Sequence, residues 1–377
     1  MANVFTALQP TLFSAAREVA SEPFGVIPTI NTNFDDKGVA RGDVVTVPVA
    51  PVRAPKDFIP AAYAPEGDDA TAASVAVTIT KSRKVDWNIT GEQMLSLQNA
   101  ESDKEWVRQL ILQGARALRN EAEADAALAV KVGASRATGT AGTTPLSTNI
   151  DEIVNALTIM EANGAPKAAM SMVLGSAAAN NLRKQGIIQQ AQQAGSDLER
   201  RTGTLGNQEG FNIVVSNGVG QHTKGTGASY TTTTAGFAVG TTSIPLITGT
   251  GTINPGDIVT FAGDTNRYVV ASGISAPGTI TIAEPGLRQA VAASAVAVTV
   301  GNNYTANLFY ERNAIVGVMR PPRLDQNPMI QTQLINDGTG MTYLLAQNYQ
   351  YGQTTWELHL AWGFKTVTPM FSGILLG

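Results

Sequence analysis

The sequence predicts an α+β protein with an inserted all-β domain, and three observations predict it. Residues 102–132 carry the periodicity of one long, one-sided helix. Two C-terminal runs, 341–346 and 354–363, read as a strand pair, with Trp356, Leu358, Leu360 and Trp362 alternating against Thr355, Glu357, His359 and Ala361. After Thr223 the composition shifts to Thr, Gly, Ala and Val, and helical periodicity disappears.

Residues 3–20 suggest a short helical arm starting at Pro10 or Thr11, with Leu12, Ala16 and Val19 on one side. So short a helix is marginal alone in water, and Phe5, Leu8, Leu12, Phe13 and Phe24 are too many apolar groups for a solvated tail. Residues 43–49 and 74–80 read as strands. Between them Pro48, Pro51, Pro55, Pro60 and Pro65, with acidic Glu66, Asp68 and Asp69, predict a protruding loop on strand stems. A two-stranded projection is marginal by itself and should gain stability by lying across a neighbour.

In the long helix, Trp106, Val107, Leu110, Ile111, Gly114, Ala115, Leu118, Ala122 and Ala129 share one half of the surface. Arg108, Gln109, Gln113, Arg116, Arg119, Asn120 and Glu123 occupy the other. Ser102 and Glu105 have the spacing of a capping box, and Gly133 supplies a stop. Some 30 residues at ~1.5 Å each make a rod of about 45 Å. Glu121 and Asp125 intrude on the apolar side, so that face is no simple coiled-coil seam. Such a rod amid β-rich sequence reads as a spine on which strands are laid.

Residues 133–148 form a linker ending at a cap, Thr148 or Asn149. A helix over 151–162 carries Ile153, Val154, Leu157 and Met160 on one face, and Gly164 and Pro166 end it. A buried strand over 170–174, a small-residue helix over 176–184 and a strand over 211–216 predict a compact α/β unit. The polar stretch 189–204 reads as a solvated loop, with a mobile loop facing a hole or symmetry axis as the sharper alternative. Strand-like runs at 236–239, 243–247, 257–262, 268–272, 279–283 and 295–300, separated by Asn-Pro-Gly, Gly-Asp-Thr-Asn and Ala-Pro-Gly turns, predict a small barrel or sandwich. Beyond Asn307 the mixed character returns, with Arg320, Pro321, Pro322 and Arg323 marking a turn.

The composition excludes several classes of function. Without Cys there are no disulfides and no thiolate metal sites, and the two histidines, His222 and His359, have no companions at ligand spacing. No apolar run approaches the ~20 residues of a membrane helix, and the N-terminus lacks the pattern of a signal peptide, so a cytoplasm-like compartment is expected. The net charge of -4 argues against a dedicated nucleic-acid groove, and a charged fraction of 15% suggests that much of the surface meets other subunits. Enzyme motifs fail in turn. The Gly-rich run from Gly249 to Gly256 lacks the Gly-Lys-Ser/Thr ending of a phosphate loop and precedes a strand. The acidic pairs Asp35/Asp36 and Asp68/Asp69 read as solvated loop residues. No catalytic, cofactor or metal site is expected.

The ordered set of parts resembles the major capsid proteins of tailed bacteriophages, in the podovirus-type branch that carries an inserted β domain. The runs that bear the resemblance are Met-Ser-Met-Val-Leu-Gly-Ser from Met170, Thr-Leu-Gly-Asn-Gln-Glu-Gly-Phe from Thr204 leading to Val-Val-Ser-Asn-Gly-Val-Gly-Gln-His-Thr from Val214, and Pro-Gly-Asp-Ile-Val-Thr-Phe-Ala-Gly from Pro255. Asn-Leu-Phe-Tyr-Glu-Arg-Asn-Ala-Ile from Asn307 and Trp-Gly-Phe-Lys-Thr-Val-Thr-Pro from Trp362 look like the closing strands. The resemblance implies an N-terminal arm over 1–30, an extended loop over 31–90, a spine helix of a peripheral domain over 91–135 and an axial α/β domain over 136–223. An inserted β domain over 224–304 and a return through the axial domain to long peripheral strands over 305–377 complete it.

It also implies no enzymatic activity. The implied partners are copies of the chain in pentamers and hexamers, a separate scaffolding protein, a portal protein at one vertex, a decoration protein and packaged double-stranded DNA held without a sequence-specific site. The implied location is the virion shell, assembled in the host bacterial cytoplasm. His222 would then have a structural place. Some relatives cross-link a loop lysine to a neighbour; Lys37 and Lys56 lie in or near the loop, but nothing in the sequence supports a catalytic carboxylate for them. The rival readings are an encapsulin-like compartment shell and a β-rich surface-layer or adhesin protein. The missing signal peptide and the amphipathic spine oppose the second.

Overall fold

A 14-residue strand near the C-terminus organises one half of the molecule, and a 31-residue helix ties that half to the other. The computed structural model describes residues 24–34, 39–49, 55, 57–58, 60, 73–99, 103–186, 203, 205–324, 330–336 and 341–377. The expected arm over 3–20, the Ser102/Glu105 capping box and most of the polar stretch 189–204 lie outside those residues.

The first sheet contains β1 (Asn31–Phe34), β4 (Lys81–Thr90), β17 (Ile315–Arg320), β18 (Ile330–Asn336), β19 (Thr342–Gln350) and β20 (Gln353–Thr366). One edge of β20 pairs with β4 over residues 353–362; its other edge pairs with β19 over residues 353–359 and then with β17 over residues 361–366. Its alternation matches the sequence reading on one face. Trp356, Leu358, Leu360 and Trp362 are buried in a core shared with the long helix. The opposite face is not the open polar surface expected: Thr355, His359 and Ala361 are buried as well.

Part of that second face is covered by a hairpin, β2 (Val44–Val49) and β3 (Ala73–Thr78), paired from Val44↔Thr78 to Val49↔Ala73. Val77 and Ile79 pack with Val316, Val318 and Ala361, and Val45 and Val47 lie partly buried against them. Gly363 makes the approach possible, because a Cβ there would collide with the carbonyl oxygen of Thr78. These are the strand stems of the predicted loop.

The spine helix is α2 (Asp103–Gly133), preceded by α1 (Gly91–Asn99), and its bounds fall within a residue of the sequence expectation. Val107, Ile111, Ala115, Leu118, Ala122, Ala126 and Val130 form its buried stripe. Corrections come at the flanks. Trp106 is 40% exposed, and Leu110 and Ala129 are only half-buried. Arg119 and Glu123, assigned to the polar half, are buried. The C-terminal half of α2 also meets the second sheet, so its buried arc is wider than one sheet would make it.

The second sheet runs β5 (Arg136–Gly139), β21 (Ser372–Leu376), β16 (Tyr304–Glu311), β6 (Met170–Leu174), β8 (Phe211–Val215), β7 (Asn207–Gln208), with β9 (Gln221–His222) paired to the start of β16. One face joins the core under α2. The other packs on α3 (Asp151–Ala162) and α4 (Ser176–Lys184) through Ile153, Ala156, Met160, Ala178, Ala179 and Leu182. Val154, expected on the inner face of α3, is exposed. Ile150 occupies the cap of that helix in place of Thr148 or Asn149, and Asn149 Oδ1 accepts from the Asp151 amide at 3.3 Å.

Residues between β9 and β16 close an antiparallel barrel. Its ring is β12 (Ile258–Phe261), β15 (Ala297–Val300), β10 (Tyr230–Thr232), β11 (Ser243–Ile247), β14 (Gly278–Ile282), β13 (Arg267–Ser272) and back to β12. A separate core of Tyr230, Ile244, Leu246, Val259, Phe261, Tyr268, Val270, Ile280 and Ile282 fills it. Closure removes the edges that an open sheet of short strands would expose. The expected strand at 236–239 is only an isolated bridge, Phe237↔Val291, because Gly236 and Gly240 both adopt positive φ. Its place in the ring is taken by β10. The barrel also hydrogen-bonds to its host, through Arg267↔Ala137 and Tyr268↔Arg136.

We predict that residues 224–304 fold alone, because the core and the ring are complete within them. The isolated segment should give a dispersed amide NMR spectrum and unfold cooperatively. A collapsed spectrum would mean that the β5 pairing is required.

Candidate functional site: the junctions on the spine helix

Two polar junctions fix other parts to α2, and a third ties the barrel to its host near the end of that helix. The first surrounds Glu123, in the middle of the helix. Its Oε1 accepts from the backbone amides of Gly25 at 2.9 Å and Val26 at 2.7 Å, and Oε2 accepts from Ile27 at 3.1 Å. Those amides sit where a short 3₁₀ turn, Ile27–Thr29, begins, so its unsatisfied donors meet a carboxylate. The Ser216 hydroxyl, just past β8, donates to the same Oε1 at 2.6 Å. One helix turn earlier, the Arg119 guanidinium lies 3.6 Å over the Phe24 ring. Thr29 Oγ1 is 2.7 Å from the Tyr310 hydroxyl, whose pKa burial pushes far up, so it stays a neutral phenol. Residues 24–29 are thereby pinned between the spine and the second sheet, and β1 continues from them onto β17 in parallel register.

The second junction explains why two acids lie on the apolar side of α2. Lys81 Nζ, at the start of β4, is 3.0 Å from Glu121 Oε1 and 2.9 Å from Asp125 Oδ2. Arg83 Nε reaches Glu121 at 3.1 Å, and Trp362 Nε1 donates to Asp125 Oδ2 at 2.8 Å. The hydrogen bond to Asp125 is the largest influence raising the Lys81 pKa; burial works against it. Burial likewise works to raise the Glu121 pKa, but Lys81 and Arg83 outweigh it and hold the carboxyl below its usual range.

The third junction holds the barrel. His222 Nε2 lies 2.8 Å from Asp257 Oδ1, so this nitrogen carries the proton it donates to the carboxylate. Asp257 also accepts from the amides of Gly225 and Asn254, and the Tyr304 hydroxyl donates to the Gly256 carbonyl at 2.6 Å. The Tyr304 and His222 rings are 5.0 Å apart at 39°. Lys131, near the end of α2, is pushed below its ordinary pKa by burial, against the attraction of Asp257. Both crossings of the chain between host and barrel are thus stapled to each other and to one barrel turn. His222 serves as a bonded structural residue there.

His359 is a correction. It is buried, not an exposed strand residue, and its Nε2 lies 3.0 Å from Glu357 Oε2, which itself lies beside Lys84. Burial lowers its pKa below the ordinary 6.5, only partly offset by Glu357; Lys84 acts with burial and Asp86 against it. The unfolded chain therefore binds this proton more readily than the folded one. The stability contribution is complete above 6.5 and is lost as pH falls through the lower folded value. Thermal melts of the protein between about pH 7.5 and 5 should show Tm falling with pH, and His359→Asn should flatten that slope. An unchanged slope would assign the titration elsewhere.

Lys37, Lys56 and the acidic pairs Asp35/Asp36 and Asp68/Asp69 lie outside the described residues. The Gly249–Gly256 run forms the turn between β11 and β12, leading to Asp257. Among the described residues no group of His, Cys, Asp or Glu could hold a metal ion, and no helix is long and apolar enough to cross a membrane. The sequence reading did not find the Glu123 junction; its partners lie more than 90 residues away along the chain.

No protein-family model matches the sequence, and no curated protein does. Solved structures that align with the chain include a chain of Mycobacterium phage Che8, at 16% identity over 89% of this chain and 84% of that one, with a TM-score of 0.47. The capsid structure of the cyanophage P-SCSP1u aligns at 11% identity over 92% and 86%, with a TM-score of 0.48. A virus-like particle from Pyrococcus furiosus aligns at 8% identity over 97% and 98%, with a TM-score of 0.43.

Proposed function

We propose that the chain is the major capsid protein of a tailed bacteriophage, self-assembling into the icosahedral head shell that encloses the genome. The carrying observation is a spine helix that bridges two sheets and from whose first sheet the β2–β3 hairpin projects. The apolar strip of that hairpin is only partly covered, and Phe58, in the segment between its strands, is 90% exposed. Apolar groups presented this way are stable when a neighbouring copy covers them. The order of parts agrees with the family the sequence resembles, and junctions made of hydrogen bonds and ion pairs suit a structural role better than a catalytic one.

The partners that follow are copies of the chain in pentamers and hexamers, a separate scaffolding protein, a portal protein at one vertex, a decoration protein and double-stranded DNA contacted without sequence readout. Assembly takes place in the host cytoplasm. Electron microscopy of the overexpressed protein, with and without its phage's scaffolding protein, tests the reading. Closed shells that take up DNA support it; filaments or monomers in both preparations reject it. Shells that enclose protein cargo instead would favour the encapsulin-like alternative.

Deleting residues 1–20 should leave a soluble subunit that fails to form stable shells, since the deleted stretch carries Phe5, Leu8, Leu12 and Phe13 ahead of the pinned root at Phe24–Thr29. Normal shells from the truncated chain would show that the arm is dispensable.

A further inference from the structure

A cleft of about 630 Å3 opens between α3 and the barrel, with β5 along its floor. Its lining is rich in donors: Arg136 and Thr138 from β5, Asn155 and Thr158 from α3, and Arg267 from β13. Glu152 is the carboxylate in that lining, and its Oε2 is already occupied by the Leu146 amide at 2.7 Å.

Arg136 is the unusual member. It is 7% exposed, and its guanidinium donates to Asn266 Oδ1 at 3.3 Å, the Ile159 carbonyl at 3.2 Å and Asn163 Oδ1 at 3.0 Å, all of them uncharged. Its Nε is buried with no hydrogen-bond partner. A buried cation without an anion beside it is costly, and so is a buried donor without an acceptor. Burial and the nearby Arg288 both disfavour the charged form, while Tyr268 and Asp264 act the other way without overcoming them. Arg267, half-buried on the same wall, adds a second positive charge.

We propose that this cleft binds an oxyanion, a phosphate or carboxylate group seated against Arg136 and Arg267 and held by the hydroxyls and amide around them. Arg presents the planar donor fork that both groups match. The oxyanion has two possible sources, a free anion or an acidic side chain of a second copy of the chain.

The test is calorimetric titration of the full-length, unassembled protein with sodium phosphate against sodium chloride at equal ionic strength, paired with thermal melts. Saturable heat and a Tm gain beyond that of chloride are expected. Arg267→Gln should weaken the binding about tenfold or more, the scale of losing one charge-assisted contact, with the unliganded Tm preserved. Should Arg267→Gln fail to fold, Asn155→Ala, on the exposed wall of the cleft, serves the same comparison. Phosphate excluded from protein surfaces stabilises any fold. An equal Tm gain in wild type and variant with no saturable heat would therefore overturn the proposal. Repeating the titration as protein concentration rises separates the sources. Affinity that declines as copies associate assigns the site to a neighbour's carboxylate, and constant affinity assigns it to a free anion; each supports an oxyanion site.

Discussion

Replacing Glu123 with Ala should destabilise the subunit by about 3–5 kcal/mol, because it leaves buried donors unpaired. The substitution removes the acceptor of three backbone amides and of the Ser216 hydroxyl, all buried, and each orphaned donor costs about 1–3 kcal/mol before the chain relaxes. Glu123→Gln keeps the shape and one acceptor oxygen, so its loss should be smaller. Chemical denaturation of the two variants checks the order. Hydrogen exchange at Gly25–Ile27 should accelerate in Glu123→Ala more than exchange elsewhere. A stability within about 0.5 kcal/mol of wild type, the range of neutral surface changes, would mean that residues 24–29 are held by Arg119 and Tyr310 alone.

Leu118→Ala should cost about 2–5 kcal/mol, because Leu118 is buried in the core shared by α2 and the first sheet. Arg116→Ala, on the exposed side, should stay within about 0.5 kcal/mol. Arg119→Ala should fall between them, since the buried guanidinium leaves the Phe24 ring unstacked. Equal losses from Leu118→Ala and Arg116→Ala would show that the helix presents a different face to the sheet.

The long helix was legible because its apolar stripe persists over many turns, and β19 and β20 because Trp356–Trp362 alternate with period 2. β4 was not: Lys81, Ser82, Arg83 and Lys84 make its first half read as solvated. In the structure Lys81 and Arg83 meet Glu121 and Asp125 on the helix side of the sheet, and Lys84 meets Glu357 on the other side, partners distant in sequence. Burial of Arg119 and Glu123 was hidden for the same reason, since a helical wheel registers one partner surface and α2 has two. His359 followed the pattern of an exposed strand face, but the β2–β3 hairpin and the Lys84–Glu357 pair lie on that side of the sheet. In the barrel, β10 was too short to outweigh the neighbouring Gly236–Val239, where the periodic signal was real and the glycine backbone was not extended.

Residues 353–377 complete both sheets. β20 joins β4, β17 and β19, and β21 lies between β5 and β16 in the interior of the second sheet. Until residues 353–377 have left the ribosome, neither sheet can close, whereas the barrel is already entire by residue 300. The order of synthesis therefore sets an order of competence. A nascent chain can display a finished barrel while both sheets of its host still lack a central strand.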